Sequence, residues 1–461
     1  MTDQSFSSLP LHPALLSNLA DLGYANMTAI QAQSLPKILA GKDVIAQSKT
    51  GSGKTAAFGL GILQKLEVKQ FAAQALILCP TRELADQVAK EIRRLARAIH
   101  NIKVLTLCGG SPFGPQLGSL EHGAHIIVGT PGRVEEHLRK GSLKADRLNT
   151  FVLDEADRML EMGFQPALES ICKKLPSLRQ TLLFSATFPE QIEALSEGIM
   201  RSPARITVTD QHSNKTIEQH FYKVSSNEQR QEALQLLLLK YRPGSAVVFC
   251  STRKETDELA VSLREAGFSA LALHGELDQK LREQILTRFA NKSASVLVAT
   301  DVAARGLDID ALDAVFNYHL ARDPEVHIHR IGRTGRAGAS GLACSLVGDR
   351  ETQKITRLEA LTGQGVTLEF LPLPSDVDGN AYAPPMVCLQ VDGGRKQKLR
   401  PGDIVGALTA GGDIKGDDVG KIHVFDNCAY VAVRRREGAE ALRKLTQGKL
   451  KGRSFRARKI R

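Results

Sequence analysis

The stretch Ala46-Gln-Ser-Lys-Thr-Gly-Ser-Gly-Lys-Thr55 follows a short apolar run and opens a helix-forming segment. Gly51 and Gly53 allow backbone N–H groups to turn inward around phosphate oxygens. Lys54 can neutralise the charge of β- and γ-phosphates, and the hydroxyl of Thr55 can bind Mg²⁺. The stretch therefore predicts a phosphate-binding loop on a parallel α/β sheet.

One position departs from the usual pattern, which has a glycine where Ser48 stands. A glycine-rich turn with a chance Gly-Lys-Thr is the alternative, but the strand–loop–helix setting favours phosphate binding. The residues expected to contact the nucleotide are Ser48, Lys49, Thr50, Gly51, Ser52, Gly53, Lys54 and Thr55.

Short apolar runs alternate with helix-length segments along most of the chain. Such runs are typical of parallel sheets that are covered on both faces. Within residues 40–208 the runs are 44–46, 75–79, 126–128, 151–153 and 181–184. After residue 213 they are 246–249, 270–273, 296–298, 314–316 and 343–347. We expect two α/β lobes, 1–208 and 213–370, with a hinge near 209–215; the pattern leaves open whether their strand orders match.

A proline-rich segment over 371–385, with four prolines and a Gly-Asn pair, predicts a linker. Beyond it, residues 386–461 alternate between strand and helix patterns. The predicted elements are strand 386–391, helix 401–409, strand 420–425, strand 428–434, helix 437–447 and strand 453–460. This β-α-β-β-α-β order predicts a small ferredoxin-like α+β domain.

Asp154-Glu155-Ala156-Asp157 comes directly after the apolar run 151–153. A carboxylate at the end of a parallel strand lies at the same sheet edge as the phosphate loop and can hold the Mg²⁺ shell. Glu155, its neighbour, can orient or deprotonate an attacking water. A surface acidic turn is the alternative; the upstream phosphate loop favours catalysis.

His329-Arg-Ile-Gly-Arg-Thr-Gly-Arg336 places three arginines among glycines in the second lobe. Clustered arginines repel one another unless an anion neutralises them. Arginine fingers, which stabilise the charge on a transferring phosphoryl group, are one such arrangement. A basic loop facing solvent or nucleic-acid phosphate is the alternative. Because the phosphate loop lies in the other lobe, hydrolysis would require the two lobes to close on each other.

The net charge of +11 is concentrated at one end of the chain. Residues 434–461 carry twelve Lys or Arg and two acidic residues, a net +10, so the rest of the chain is nearly neutral. This tail predicts binding to a polyanion through counterion release, with a solvated tail as the alternative. The seven cysteines form no CxxC pair, and neither a secretory signal nor a membrane-length apolar run is present, which predicts a cytoplasmic protein without a disulfide or zinc framework.

Together, the motifs of the chain from Phe6 to about residue 370 resemble those of the DEAD-box RNA helicases, superfamily-two motors with two RecA-like lobes. Many motifs occur in the family's order and spacing. They are Phe6, Gly23–Gln31, Gly51–Thr55, Pro80–Ala85, Gly109-Gly110, Thr130–Arg133, Asp154–Asp157, Ser185–Thr187, Val248-Phe249, Thr252, His274-Gly275, Gln279, Arg282, Ala299–Asp308 and His329–Arg336.

The resemblance implies a role for each matching residue. For ATP, Phe6, Tyr24 and Gln31 would form the adenine site and Asp308 would touch the ribose. The catalytic set would be Asp154, Glu155, Lys54, Arg333 and Arg336, with Mg²⁺ on Thr55 and Asp154. The residues that couple hydrolysis to strand opening would be Ser185, Thr187, Asp157 and His329. The RNA path would be lined by Arg82, Gly110, Thr130, Gly132, Arg133, Gly275 and Thr300.

The tail resembles the RNA-recognition-type domain of the DbpA branch of this family. The residues that carry this impression are 399–408, 422–426, 430–433 and 448–458. The resemblance implies anchoring on a hairpin of large-subunit ribosomal RNA, in ribosomal precursor particles. Few aromatics occupy the central strands, so we expect binding through Lys449, Lys451, Arg453, Arg456, Arg458 and Lys459, with Tyr430 or Phe455 stacking on a base. The alternative for Tyr430 and Phe455 is that both belong to the core of the domain.

Two other functions compete with this interpretation. One is a DNA-directed motor of the same superfamily, because phosphate chemistry does not distinguish the sugar. The other is a general RNA-stimulated ATPase or RNA chaperone without ribosomal specificity; a chaperone that does not hydrolyse ATP is disfavoured by Glu155, Arg333 and Arg336.

Overall fold

The computed structural model describes residues 5–48, 51–208, 217–304, 312–335 and 340–460. Two compact units make up the structure. The first contains one parallel sheet, and the second contains another parallel sheet followed by a small antiparallel sheet. The hinge expected at 209–215 lies outside the described residues.

The first sheet is parallel, with strand order β3-β4-β2-β5-β6-β1-β7. Its strands are β1 (Val44–Gln47), β2 (Ala75–Leu78), β3 (Val104–Leu107), β4 (Ile126–Gly129), β5 (Thr150–Asp154), β6 (Gln180–Ser185) and β7 (Ala204–Thr207). The helices are α1 (Pro13–Asp21), α2 (Ala29–Leu39), α3 (Lys54–Lys65), α4 (Arg82–Leu95), α5 (Phe113–Glu121), α6 (Pro131–Arg139), α7 (Ala156–Glu161), α8 (Gln165–Lys174) and α9 (Glu190–Ile199).

Burial of the central strands on both faces explains why they are continuously apolar. Every residue of β2, β4, β5 and β6 is buried. Strands β5, β6 and β1 are neighbours, with Asp154 opposite Phe184 and Gln47 opposite Ser185. The segments that follow these three strands therefore emerge at one edge of the sheet.

The second sheet repeats the strand order of the first, as β10-β11-β9-β12-β13-β8-β14. Its strands are β8 (Ile217–Val224), β9 (Ala246–Cys250), β10 (Ala270–Leu273), β11 (Val296–Thr300), β12 (Ala314–Asn317), β13 (Gly341–Gly348) and β14 (Leu368–Glu369). Its helices are α10 (Asn227–Tyr241), α11 (Arg253–Glu265), α12 (Gln279–Ala290), α13 (Asp301–Ala304), α14 (Pro324–Ile331) and α15 (Thr352–Thr362). The expected pair of RecA-like parallel lobes is confirmed, and the open question of strand order is answered: the orders match.

The third sheet is antiparallel, with order β16-β17-β15-β18. Its elements are β15 (Met386–Val391), α16 (Pro401–Thr409), β16 (Val419–Val424), β17 (Ala429–Arg434), α17 (Gly438–Gln447) and β18 (Ala457–Lys459). The predicted β-α-β-β-α-β order is confirmed. The last strand is shorter than the predicted 453–460, because a tight turn pairs Leu450 with Arg453 just before it.

The proline-rich segment after the second sheet is irregular but packed against its own unit. The ring of Tyr382 meets Phe268 edge-on at 5.9 Å, and the guanidinium of Arg242 lies 5.4 Å from the Tyr382 ring centre. Arg242 also pairs with Asp378 at 3.1 Å. These contacts fasten the predicted linker to the second lobe.

One face of the third sheet is covered by the second lobe. Cys388 and Tyr430 lie outside the core cluster of the small domain, yet both are buried. The side-chain amide of Asn291, just after α12, donates to the thiol of Cys388 at 3.4 Å, and the Met386 N–H donates to the Lys292 carbonyl. The small domain is therefore docked on the second lobe.

None of the helices in the described ranges combines the length and the apolar composition that a bilayer crossing requires.

Candidate active site and RNA path

The phosphate loop connects β1 to α3, as its sequence predicted. Gly53 caps α3 with φ of +94°, a left-handed conformation that favours glycine. Lys54 is buried, and its Nζ donates to the Ser48 carbonyl at 3.1 Å. The hydroxyls of Ser48 and Ser52 lie 2.9 Å apart. Within the described part of the loop, the lysine thus lies against the backbone that would surround phosphate; Lys49 and Thr50 lie outside the described residues.

Gln31 joins the start of α2 to the phosphate loop. Its Oε1 accepts from the Thr28 N–H at 2.9 Å, and its Nε2 donates to the Gly53 carbonyl at 3.0 Å. A Cβ at position 53 would collide with the Gln31 amide, so this approach requires glycine. Nearby, Phe6 is buried and meets the half-buried Tyr24 edge-on at 6.0 Å. Of the three residues expected at the adenine, Gln31 contacts the phosphate loop, and Phe6 and Tyr24 contact each other.

Asp154 and Glu155 are buried where β5 ends. Burial raises the pKa of Asp154 to about 7, against the attraction of the Lys54 ammonium. Its Oδ1 has no hydrogen-bond partner among the described residues. A buried carboxylate oxygen without a partner, close to a lysine, fits a Mg²⁺ ligand.

Glu155 has a left-handed backbone with φ of +56° and caps the first turn of α7. Non-glycine residues adopt this conformation at a cost, and such strain concentrates at functional sites. Glu155 directly follows Asp154 at the end of β5, at the sheet edge where the phosphate loop emerges.

Asp157 links the acidic motif to the segment after β6. Its Oδ2 accepts from the Ala186 N–H at 3.2 Å and from the N–H and hydroxyl of Thr187, both at 3.0 Å. The Asp157 N–H donates to the Ser185 hydroxyl at 3.3 Å. Burial opposes ionisation, but the Thr187 N–H and neighbouring cations outweigh it, so the pKa of Asp157 lies below its usual value. The expected coupling residues of the first lobe form one network.

In the second lobe, His329 lies on α14 and Arg333 follows its end, 9% exposed. The expectation that all three arginines await an external anion needs correction for Arg330. Its guanidinium binds both carboxylate oxygens of Asp301, at 2.6 and 2.8 Å, and donates to the Asn317 side chain and the His319 carbonyl. The protein itself neutralises this arginine. Arg336 and Asp308 lie outside the described residues.

The RNA-path residues of the first lobe gather after β2, β3 and β4. Arg82 begins α4, and its guanidinium packs against Gly110, where a Cβ would collide with it. The Thr130 hydroxyl accepts from the Gly109 N–H at 3.4 Å. A Cβ on Gly132 would meet no atom within 4 Å, which leaves its surface open to a ligand.

Arg133 makes protein contacts that the sequence did not indicate. Its Nη1 donates to the Ser111 carbonyl at 2.9 Å and to the Gln116 side chain at 2.8 Å, and its Nε pairs with Glu136 at 3.1 Å. Gln116 is buried and also donates to the Cys108 carbonyl. Arg133 thus fixes the glycine-containing loop beside it, and Gln116 is a site residue that no motif singled out.

The second-lobe members of the expected path lie at the ends of adjacent strands. Thr300 ends β11, and Gly275 follows β10, its paired neighbour. A Cβ on Gly275 would meet no atom within 4 Å. Both residues therefore occupy the carboxyl edge of the second sheet, which corresponds to the edge that carries the path in the first lobe.

In the small domain, one expected RNA contact is wrong. Tyr430 is 2% exposed, and its ring packs edge-on against Phe425 at 5.7 Å, so neither ring face can stack on a base. Phe455 is half-buried, in contact with Gly393. Arg458 is exposed but pairs with Asp392 at 3.0 Å. The exposed cations that remain from the expected set are Lys449, Lys451, Arg453, Arg456 and Lys459.

Comparison with protein families identifies three matching regions. Residues 28–195 match the DEAD/DEAH box helicase family, residues 228–338 the helicase conserved C-terminal domain and residues 388–459 the DbpA RNA binding domain. The three regions lie in the first lobe, the second lobe and the small domain, respectively.

Comparison with individual proteins agrees. The chain is 52% identical to the ATP-dependent RNA helicase DbpA of Escherichia coli over 98% of its length and 99% of that protein. It is 41% identical to the DEAD-box ATP-dependent RNA helicase CshA of Geobacillus kaustophilus, covering 78% of this chain and 76% of that protein.

Solved structures that resemble its fold include two complexes with RNA. Dbp5 of S. cerevisiae bound to RNA and ADP BeF3 gives a TM-score of 0.71 at 31% identity, covering 81% of this chain and 96% of the other. Mss116p bound to ssRNA and AMP-PNP gives 0.73 at 28% identity, covering 81% of both chains. The chain belongs to the DEAD-box ATP-dependent RNA helicases and carries a carboxyl-terminal DbpA RNA binding domain.

Proposed function

We propose that the first lobe binds Mg²⁺–ATP and that hydrolysis drives local remodelling of RNA. Thr55 and Asp154 would hold the ion, which neutralises phosphate charge when bound. Lys54 binds the β- and γ-phosphates, and Glu155 orients the attacking water and accepts its proton. The observation that carries this proposal is the buried, partnerless Asp154 oxygen at the sheet edge of the phosphate loop.

The nucleotide base and the second lobe complete the proposed reaction. Gln31 and Tyr24 read adenine, with Phe6 behind them. Arg333 and Arg336 stabilise charge on the transferring phosphoryl group, and Asp308 contacts the ribose. Because these second-lobe groups come from another unit, hydrolysis responds to whatever brings the units together.

RNA is proposed to supply that control. The backbone of one strand lies along Arg82, Gly110, Thr130, Gly132 and Arg133, and continues along Gly275 and Thr300. Closure bends the strand and releases its duplex partner, and hydrolysis resets the enzyme. Asp157, Ser185, Thr187 and His329 transmit the state of the nucleotide to the strand; the hydrogen bonds from Thr187 to Asp157 support this role.

We further propose that the target is a hairpin of large-subunit ribosomal RNA, met in the cytoplasm in ribosomal precursor particles. The support is the DbpA RNA binding domain over 388–459 and the 52% identity across nearly the whole chain. Lys449, Lys451, Arg453 and Arg456, all exposed, provide the cations for its phosphates.

The test is ATPase stimulation by a panel of nucleic acids: large-subunit rRNA fragments, scrambled RNAs of equal length and DNA of matching sequence. We expect the fragment that contains the target hairpin to stimulate at the lowest concentration. Equal stimulation by all RNAs would favour a general RNA-stimulated ATPase, and equal stimulation by DNA would favour a DNA-directed motor.

Replacing Lys449, Lys451, Arg453 and Arg456 together by glutamine separates target choice from catalysis. The variant should keep the maximal ATPase rate at saturating RNA but lose its preference for the hairpin. Substitution is preferable to truncation, because removing the small domain would uncover its docking surface at Asn291. Lys173→Gln with Lys174→Gln, exposed on α8, is the control.

A further inference from the structure

Tyr24 is held by two charged side chains of α4. Its hydroxyl donates to Glu91 Oε1 at 2.7 Å, and Arg94 Nη2 donates to the same hydroxyl at 2.7 Å. Arg94 and Glu91 also form an ion pair at 3.1 Å. The Tyr24 hydroxyl thus both donates and accepts a hydrogen bond, and these two bonds fix the orientation of the ring.

The same contacts define the surroundings of the Tyr24 ring. The Arg94 guanidinium carbon lies 5.4 Å from the ring centre, and the Phe6 ring meets Tyr24 edge-on. Tyr24 is nevertheless only half-buried. An aromatic ring with a cation over one face and an exposed remainder is a prepared surface for a planar base.

The end of α4 that carries these charges is itself anchored. The buried amide of Asn18 donates to the carbonyls of Arg94 and Leu95, at 3.0 and 2.8 Å. Burial, together with the bond to Glu91, raises the pKa of Tyr24, so the phenol keeps its proton at neutral pH and remains the donor.

We propose that Glu91 and Arg94 are positioning residues for the nucleotide base. They fix the Tyr24 ring in an orientation in which adenine can stack on it and contact Gln31 at the same time. This inference rests on the proposed role of Tyr24 as the adenine reader. A surface ion pair with no such role would contribute little, because exposed pairs of this kind are weak. Pre-ordering a stacking ring lowers the cost of binding a base without altering the chemical step.

The experiment compares Tyr24→Phe, Glu91→Gln, Arg94→Ala and the double variant Tyr24→Phe/Glu91→Gln in RNA-stimulated ATP and GTP hydrolysis. Tyr24→Phe keeps the ring and removes the hydroxyl alone. We expect KM for ATP to rise about three- to tenfold, with kcat within about twofold and preference for ATP over GTP reduced by a similar factor. The double variant should match Tyr24→Phe, because the bond that Glu91→Gln weakens is already absent once the hydroxyl is removed.

Lys90→Gln, an exposed change on the same helix, is the matched control, and the melting temperature is recorded for every variant. Unchanged KM in Tyr24→Phe and Glu91→Gln would overturn the inference, as would a rise in KM that follows only the loss of thermal stability. Absence of RNA-stimulated ATPase in the unaltered chain would instead refute the proposed function, so the two failures are distinguishable.

Discussion

Asp154 and Arg330 are both buried charged residues, but they differ in their hydrogen-bond partners. One Asp154 oxygen has no partner within the described residues, whereas the Arg330 guanidinium is bound by Asp301, Asn317 and the His319 carbonyl. The sequence predicted Asp154 as a Mg²⁺ ligand, because a carboxylate at the end of this strand lies at the same sheet edge as the phosphate loop. It could not predict the contacts of Arg330, because the spacing of arginines does not show that this one meets Asp301, the first residue of α13.

Glu155→Gln tests whether Glu155 accepts the proton of the attacking water. The amide keeps the shape of the side chain but cannot accept a proton, so kcat should fall by roughly 10²–10⁴. ATP and RNA binding should persist, measured by fluorescence titration. Glu197→Gln, exposed on α9, is the control. Robust ATPase activity in the Glu155 variant would refute the assigned role.

His327, beside Arg330 on α14, predicts a pH dependence of stability. It is 2% exposed, neither ring nitrogen has a partner in the described structure, and burial, with the Arg330 charge, lowers its pKa to about 4. Since the unfolded ring titrates near 6.5, the unfolded state binds the proton first as pH falls. Stability should be fully present above pH ~6.5 and decline towards pH 4, by on the order of 2–3 kcal/mol.

His327→Leu should therefore flatten the decline between pH 6.5 and 4 in urea denaturation of the full chain. The leucine fills a similar volume and has no proton to bind. The same slope in both proteins would show that other groups cause the pH dependence.

At the scale of elements, continuously apolar strands were predictable and amphipathic or edge strands were not. Strands β9 to β12 were found within two residues of their ends. Strands β3, β7, β8 and β14 were missed. Strand β8 mixes apolar and polar residues without a regular alternation, and the other three are edge strands of two to four residues. Their formation depends on a neighbouring strand more than on their own composition.

The hydrogen bonds between Asp157 on α7 and Thr187 after β6 predict that ATP hydrolysis and RNA unwinding can be separated by mutation. Thr187→Ala removes one of the bonds to Asp157 and leaves the backbone bonds in place. We expect RNA-stimulated ATPase within about threefold of the unaltered chain, with a loss of stability of about 1 kcal/mol. Unwinding of a short RNA duplex should fall much further, measured by strand displacement. Parallel loss of both activities would show that the network supports the fold alone.

At the scale of the whole molecule, the small domain is more than a tethered tail. The sequence predicted its elements and its basic end but left open whether the face with Tyr430 binds RNA or is buried. That face is buried, because α12 ends against Cys388 and because the preceding segment is fastened through Tyr382. Docking between domains has no local sequence signal, so burial of this face could be found only in the structure.

Cys388→Lys tests the docked arrangement. A lysine there places an ammonium group in a buried contact without an acceptor for its charge, so the small domain should detach. Hydrogen exchange should rise in the 286–293 segment, and the concentration of target RNA needed for half-maximal ATPase should increase. Gln447→Lys, at an exposed position on α17, is the control. Unchanged exchange at 286–293 would contradict the docking.

We infer that a triphosphate held by the first lobe is hydrolysed only when the second lobe supplies its arginines. The most direct measurement is kcat of Arg333→Ala at saturating ATP and RNA, beside the exposed control Arg322→Ala. We expect kcat of Arg333→Ala to fall by about 10³-fold or more, with KM for ATP changed only a few fold. A kcat within twofold of the unaltered chain would contradict it.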